Sequence, residues 1–192
     1  MIYDKFAPGY DKLFAPLEQR FLSRWREEAL AFLPENSAIL EIGTGLNFKF
    51  YPPCRRAVAG DISGRMLLYA KEKTTAIDLV QADAQILPFE ANTFDAAFAT
   101  LVFCSIPDSK KAFAELRRVV STGGRVILLE HVRPFGALGY VFDLINIFTS
   151  RLIGNHFNRR TAKLAEDAGL KVVEIRKKMF GIVNLIVCEI KE

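Results

Sequence analysis

Ala38 to Pro53 reads AILEIGTGLNFKFYPP, and its interpretation decides the fold. A short apolar run (Ile39, Leu40, Ile42) is interrupted by one acid, Glu41, and then enters the glycine pair Gly43 and Gly45. Apolar strand, tight glycine turn and a segment able to start a helix is the order in which an α/β protein lets its backbone approach a nucleotide. A glycine pair alone is common, so the stretch takes its meaning from the residues downstream.

Those residues alternate. Arg56 to Asp61 (RAVAGD) reads as a second strand, and Ile62 to Lys73 as a helix with Ser63 as its N-cap. Ile77 to Gln81 is the third strand, and Phe94 to Thr100 (FDAAFAT), rich in small apolar residues, is a fourth one buried on both faces. Ser109 to Val120 is a helix, Thr122-Gly123-Gly124 a turn, and Arg125 to Glu130 (RVILLE) the fifth strand. Strands separated by helix-length segments form a βαβ series, hence a parallel, doubly wound sheet. Helical stretches over Gly136 to Ile153 and Asn158 to Ala168 come next. Two closing strands, Lys171 to Lys178 and Val183 to Glu189, are joined at Phe180-Gly181 by too few residues for a crossover, so they pair antiparallel. The expected fold is α/β: a Rossmann-like, doubly wound seven-stranded sheet, mostly parallel, with an antiparallel last strand. Upstream, Leu13 to Phe32 reads as an amphipathic helix. Leu13, Leu17, Phe21, Leu22 and Trp25 form its apolar face, and Glu18, Arg20, Arg24, Arg26 and Glu27 its polar one.

Size and charge narrow the function. The 192 residues suit one domain with a full core, and 51% hydrophobic with 25% charged residues excludes wholesale disorder. The net charge of +4 comes without a long basic tract, so no nucleic-acid partner is expected, whereas an anionic membrane surface would suit the charge. Cys54, Cys104 and Cys188 are odd in number and lack zinc spacing, so neither a disulfide framework nor a metal site is expected. The opening MIYDKFAPGYDKLF lacks the apolar core of a signal peptide. The greasy stretch Phe135 to Ile153 is broken by Asp143, Asn146 and Arg151 and is too short and polar to span a bilayer. The expected location is cytoplasmic, with the inner face of the membrane as an open alternative.

Three acids, Glu41, Asp61 and Asp83, stand at or just past the ends of three successive strands. In an open α/β sheet the ligand lies at those ends, so the three carboxylates should line one cleft. Asp61, 20 residues after Glu41, can accept from both hydroxyls of a ribose. Asp83 can accept from an exocyclic adenine amine, and Glu41 can face a cationic ligand end, directly or through water.

ILEIGTG, AGDIS, QADAQILPFEANTFDAAFATLVFCSIPD and ELRRVVSTGGRVILLEH resemble the successive motifs of class I S-adenosylmethionine-dependent methyltransferases, over roughly residues 37 to 131. The chain is similar to the branch holding the ubiquinone/menaquinone-type enzymes, and YDKFAPGYDKLF resembles their Tyr-Asp…Tyr-Asp opening. GLNFKFYP, TLVFCSIPD, LLEHVRP and NHFNRRT look more like small bacterial phospholipid (phosphatidylethanolamine) N-methyltransferases. The resemblance implies S-adenosyl-L-methionine as cofactor. Glu41, Gly43 and Gly45 would form the loop at its methionine end, Asp61 would hold the ribose, and Ile62 and Met66 would lie near the adenine. Asp83 and Ala84 would sit at the adenine edge, Thr100 and Leu101 beneath the cofactor, and Tyr3 and Tyr10 over it as a lid. His131 is the candidate for contacting the acceptor or serving as base, Tyr10 for orienting the acceptor, and Arg133 with Arg159 for receiving a phosphate. One departure stands out: the family loop reads acid-x-Gly-x-Gly-x-Gly, and here either Asn47 stands where the third glycine is expected or TGLN aligns with the end of that loop and two residues are missing just before it.

The expected whole is one class I methyltransferase domain over residues 1–192, with an amphipathic helical segment at about 1–35 and a helical insert at about 136–168. The expected acceptor is lipid-like or membrane-embedded, such as phosphatidylethanolamine, which would bring peripheral membrane association. A soluble small molecule or quinone precursor is the alternative. A nicotinamide-binding Rossmann protein lacks support, because GxGxxG does not come after strand one. A non-catalytic relative is the remaining rival, and a monomer or small homo-oligomer is expected.

Overall fold

The computed structural model describes residues 21–44, 46–153, 156 and 158–191. The lid residues Tyr3 and Tyr10, the loop residue Gly45 and most of the amphipathic opening lie outside them. The described helix α1 spans Ser23–Leu30. After it come β1 (Ala38–Ile42), β2 (Arg56–Asp61), α2 (Gly64–Lys71), β3 (Asp78–Gln81) and β4 (Phe94–Thr100). Past α3 (Ser109–Val119) lie β5 (Val120–His131), α4 (Ala137–Ile153), α5 (Thr161–Asp167), β6 (Leu170–Lys178) and β7 (Val183–Ile190). The seven strands form one sheet in the order β3-β2-β1-β4-β5-β7-β6. Only β7 runs against its neighbours, antiparallel to both β5 and β6. The strand order reverses between β1 and β4, which is where an open α/β sheet leaves a crevice at its carboxyl edge.

Alternation sorts the core into two layers. Ile39, Ala96, Phe98, Ile127, Leu129 and Leu185 face α1, where Ala29, Leu30 and Leu33 cover them. Leu40, Val58, Ala97, Val126, Leu128 and Ile186 face Phe113 and Leu116 of α3 and Ala165 of α5. Ser63 caps α2 as expected, its hydroxyl accepting from Met66 N at 3.2 Å. Asp108 caps α3 by accepting from the amides of Lys110 and Lys111.

Two local expectations differ. Thr122-Gly123-Gly124 belongs to β5, because Val120 already pairs with Phe94 and the register shifts before Ala96 meets Arg125. Gly123 takes the shift at φ 76°, and a Cβ on Gly124 would lie 2.6 Å from the Asp95 carbonyl oxygen. On α1 the buried residues are Arg26, Ala29 and Leu30, with Leu22 just before them, while Phe21 is partly exposed. The helix is thus turned so that Arg26, assigned to the polar face by the sequence pattern, points inward.

Phe98 sits in the middle of β4, fully buried, with the Tyr51 ring edge-on at 5.3 Å. Phe98→Ala should lower the unfolding free energy by about 3–5 kcal/mol in a denaturant titration. A loss under about 1 kcal/mol would show that this layer is not the core described.

Candidate functional site

A cavity of about 420 Å³ opens at the carboxyl edge of the sheet over the switch point, inside the usual range for a small-molecule site. Its floor and first wall come from the Ala38 to Pro53 stretch. Gly43 leaves β1 at φ 76°, and a Cβ there would lie 2.4 Å from Cγ2 of Val102, so only glycine fits. The Gly43 amide donates to the Gly60 carbonyl at 2.7 Å, tying the turns after β1 and β2 together.

Asp61 closes that junction. One carboxylate oxygen accepts from the Thr44 amide at 3.2 Å and the other from the Ser63 amide at 2.8 Å. Asp61, Ile62, Met66, Asp83 and Ala84 all line the cavity, as do Gly43, Thr100 and Leu101. The Asp83 carboxylate accepts from the backbone and side-chain nitrogens of Gln85, whose amide oxygen accepts from the Asp108 amide at 3.0 Å. That chain links the loop after β3 to the start of α3. Ile106, Leu87 and Pro107 add an apolar wall.

Glu41 is wholly buried and does not line the cavity. Asn47 and Arg26 line it instead. Asn47 Nδ2 donates to Glu41 Oε1 and to Thr100 Oγ1, and Tyr51 donates its hydroxyl to Glu41 Oε2 at 2.6 Å. Arg26, only 3% exposed, donates to Asn47 Oδ1 at 2.9 Å and to Thr100 Oγ1. Burial pushes the Glu41 carboxyl up to about 7, against the downward pull of the Tyr51 and Asn47 hydrogen bonds and of the Arg26 charge. Asn47 therefore does more than fill a glycine's place: its amide seals the acid and holds the guanidinium at the cavity wall.

The opposite wall starts at Leu101, whose φ of 59° is rare for a non-glycine residue. It is held there because its amide donates to the Leu129 carbonyl at 2.7 Å. The next two amides, of Val102 and Phe103, both donate to Glu130 Oε1, at 2.9 and 3.1 Å. Glu130 is fully buried on the sheet face opposite Glu41, and burial likewise pushes its carboxyl up to about 7. Among the described residues its Oε2 has no hydrogen-bond partner, and neither does Oδ1 of Asn184, its directly paired neighbour on β7.

His131 is half-buried at the end of β5 and does not line the cavity. Desolvation lowers its pKa, so the imidazole stays neutral at pH 7. Arg133 and Arg159 are committed elsewhere. Arg133 makes a bidentate pair with Asp143, 2.8 Å at its closest, and Arg159 donates to the Ser109 hydroxyl and, at 2.5 Å, to the Ile106 carbonyl. Both arginines act as struts rather than as a phosphate receptor. The functional side chains that sequence reasoning passed over are Arg26, Tyr51 and Glu130, together with the Asn47 amide, read only as a missing glycine.

The site residues suit an adenosyl ligand on grounds visible in the fold. Two carboxylates, Asp61 and Asp83, line the cavity, part of its wall is apolar, and the buried Thr44 Oγ1 lacks a hydrogen-bond partner among the described residues. The buried acids carry a pH signature. A carboxyl whose native pKa lies above its unfolded value contributes stability that is complete below the unfolded pKa and is lost as pH rises through the native one. For Glu130 the window runs from about 4.5 to about 7. Glu130→Gln keeps an acceptor for the two amides and supplies a donor where Glu130 Oε2 and Asn184 Oδ1 are both acceptors. The variant should match the parent near pH 5 and exceed it near pH 8 by up to about 3 kcal/mol in pH-resolved denaturant titrations. Some pH slope should persist, because Glu41 titrates in the same window. A variant less stable than its parent at both pH values would contradict this assignment.

Residues 40–128 match the methyltransferase domain family. The demethylmenaquinone methyltransferase of Thermus thermophilus is 33% identical over 81% of this chain and 78% of its own length. A ubiquinone/menaquinone biosynthesis C-methyltransferase of Francisella tularensis subsp. novicida is 28% identical over 96% of this chain and 87% of its own. Among solved structures, the methyltransferase bound to the Trm112 activator of Haloferax volcanii superposes with a TM-score of 0.78 at 19% identity, covering 99% of this chain and 98% of that one. An S-adenosylmethionine-dependent methyltransferase of Thermotoga maritima does so with 0.76 at 21% identity, covering 99% of both. At such identities the structural likeness speaks for the fold, and the sequence relatives speak for the family. The glycine turn at the switch point, Asp61 at the end of its strand and Asp83 just past the next, and a relative matched over most of both chains agree: the chain belongs to the class I S-adenosylmethionine-dependent methyltransferases, near the ubiquinone/menaquinone branch.

Proposed function

We propose that this methyltransferase acts on an apolar, quinone-precursor type of acceptor. The observation that carries the reading is the demethylmenaquinone methyltransferase likeness over about four-fifths of both chains, 81% and 78%. The relatives named above lend nothing to the phosphatidylethanolamine reading, and the two arginines offered for a lipid phosphate are engaged by Asp143, Ser109 and a backbone carbonyl.

When bound, S-adenosylmethionine supplies an electrophilic methyl group. The chain's own share of the work is alignment and exclusion of water. Asp61 offers a carboxylate to the ribose hydroxyls while its present partners, the Thr44 and Ser63 amides, keep it oriented. Asp83 faces the adenine edge, pinned by Gln85. Arg26, the cation held at the wall beside Thr100, is placed to meet the cofactor's carboxylate end. Leu101, Val102, Ile106 and Pro107 present an apolar surface to the acceptor. His131 keeps its proposed role of contacting the acceptor or taking its proton, and Tyr10 that of orienting the acceptor. His131 would have to reach the site from outside the cavity lining, and Tyr10 lies outside the described residues.

Two measurements test this. In calorimetry, Asp61→Asn should weaken cofactor binding about 10- to 100-fold, and unchanged affinity would remove Asp61 from the site. In a labelled-methyl assay with a demethylated quinol, phosphatidylethanolamine and a soluble metabolite extract as parallel acceptors, label should enter the quinol. Label confined to phosphatidylethanolamine or to the soluble extract would replace the proposed acceptor.

A further inference from the structure

Helix α4 is built inside out. Along Ala137–Ile153 the exposed positions are Tyr140, Val141, Leu144, Ile145, Ile147 and Phe148, whereas Asp143, Asn146 and Thr149 are half-buried. A helix on a water-facing surface places its apolar stripe inward. Here the Asp143 carboxylate is drawn inward by Arg133 and by Asn158 Nδ2 at 3.0 Å, and the apolar side is turned out. Such a continuous exposed apolar face marks a surface that something covers.

The face continues beyond the helix. Because β7 runs back along β5, with Val183 paired to His131, the β6–β7 turn emerges at the same carboxyl edge as the cavity. Met179 and Phe180 both adopt left-handed backbone, φ 46° and 56°, and Phe180 is 97% exposed at the tip. Holding two bulky residues in that region costs energy and leaves the phenyl ring pointing at solvent. Lys177 Nζ lies 4.4 Å from the centroid of the Phe135 ring, itself 75% exposed, which joins the turn to the entry of α4.

Charge identifies the occupant. Of the Lys and Arg near this face, Arg133, Arg159, Arg176 and Lys178 are engaged within the protein. Lys177 at the Phe135 ring and the exposed Arg160 carry their charge beside the apolar residues, and the one acid of the helix, Asp143, is turned inward to Arg133. Exposed aromatic and aliphatic side chains mixed with Lys and Arg are the chemistry of an amphipathic segment lying in an anionic lipid interface. A 17-residue helix is about 25 Å long, and no helix among the described residues is long and apolar enough to cross a membrane, so α4 would lie flat.

We infer that α4 and the Phe180 turn together form a docking face for an anionic bilayer, placed at the edge of the sheet where the cavity opens. As a docking face it stands on its own exposed residues; as a route for an apolar acceptor it rests on the function proposed above. From the end of α4 the chain runs to His156, whose amide donates to the Cys104 carbonyl at 2.7 Å, and to Arg159, which holds the Ile106 carbonyl of the cavity wall. Docking and the acceptor wall therefore share one connected segment.

The test uses the full chain with vesicles of equal parts phosphatidylglycerol and phosphatidylcholine, and with phosphatidylcholine alone. The parent should co-sediment with the anionic vesicles, release as salt is raised, and stay in the supernatant with the neutral ones. Leu144→Asn and Phe180→Ser should each lower the partition coefficient about tenfold, and Lys177→Glu should lower it as well. All three should keep the parental circular dichroism and calorimetric cofactor affinity. Preserved cofactor binding and transfer to a detergent-solubilised quinol separate failure of docking from failure of the proposed function. No sedimentation with either vesicle, equal binding to both, or variants that bind like the parent would overturn the inference. So would light scattering that shows a dimer which Leu144→Asn dissociates, since the face would then belong to a second copy.

Discussion

A carboxylate buried in the central strand sets the terms for the rest of this molecule. Glu41 sits in β1 with no exposed surface, and an unpartnered charge there would cost several kcal/mol or force protonation. The fold answers with three neighbours drawn from far apart in sequence. Asn47 comes from the turn, Tyr51 from the segment behind it, and Arg26 from α1 by way of Asn47 and Thr100. Each also has a structural task. Tyr51 packs edge-on against Phe98, and Arg26 fixes the rotation of α1 on the sheet. The satisfaction of one acid thus couples the glycine turn, the first helix and the end of β4. The cavity inherits its floor from that coupling.

Glu130 performs the matching task on the other face of the sheet. Its Oε1 gathers the Val102 and Phe103 amides and so supports the left-handed Leu101 and the wall beyond it. Backbone strain of that kind persists where the surroundings over-determine it, and a buried acceptor for two successive amides is such a surrounding. The two walls of the cavity are therefore each referred to a buried carboxyl, and both carboxyls are pushed to about 7. Asp61 and Asp83 differ. They keep partly exposed positions at the cleft, where a ligand can compete for them.

The sheet was legible because its strands are short apolar runs bounded by turn residues. RAVAGD and FDAAFAT coincide with β2 and β4 residue for residue, and the short Phe180-Gly181 connection forced the antiparallel β7. Asp61, Asp83 and the residues beside them reached the cavity because strand ends and ligand clefts coincide in this topology. Arg26 was not legible. Periodicity sorts side chains by polarity, and a buried arginine that serves a buried acid 15 residues later in the chain looks like any solvated one. Asn47 misled for a related reason. Measured against a glycine pattern it reads as stiffness, whereas the side chain is the useful part. Glu130 could have been suspected from a charged residue closing the apolar run RVILLE, yet nothing local says which amides it would hold.

Helix α4 shows the limit of reading amphipathicity as direction. The interruptions Asp143, Asn146 and Arg151 argue correctly against a membrane span. Periodicity alone then suggests that the apolar side should face the sheet. It does not, because Arg133 needs a partner after the chain leaves β5, and Asp143 supplies it from within the helix. That ion pair, reinforced by Asn158, turns the polar stripe inward and leaves the aliphatic one outside. Hydrophobic burial is the stronger force in general, and an ion pair this exposed contributes little stability of its own. The outward face is thus the cost of satisfying Arg133, and it is on that exposed face that the inferred bilayer docking rests.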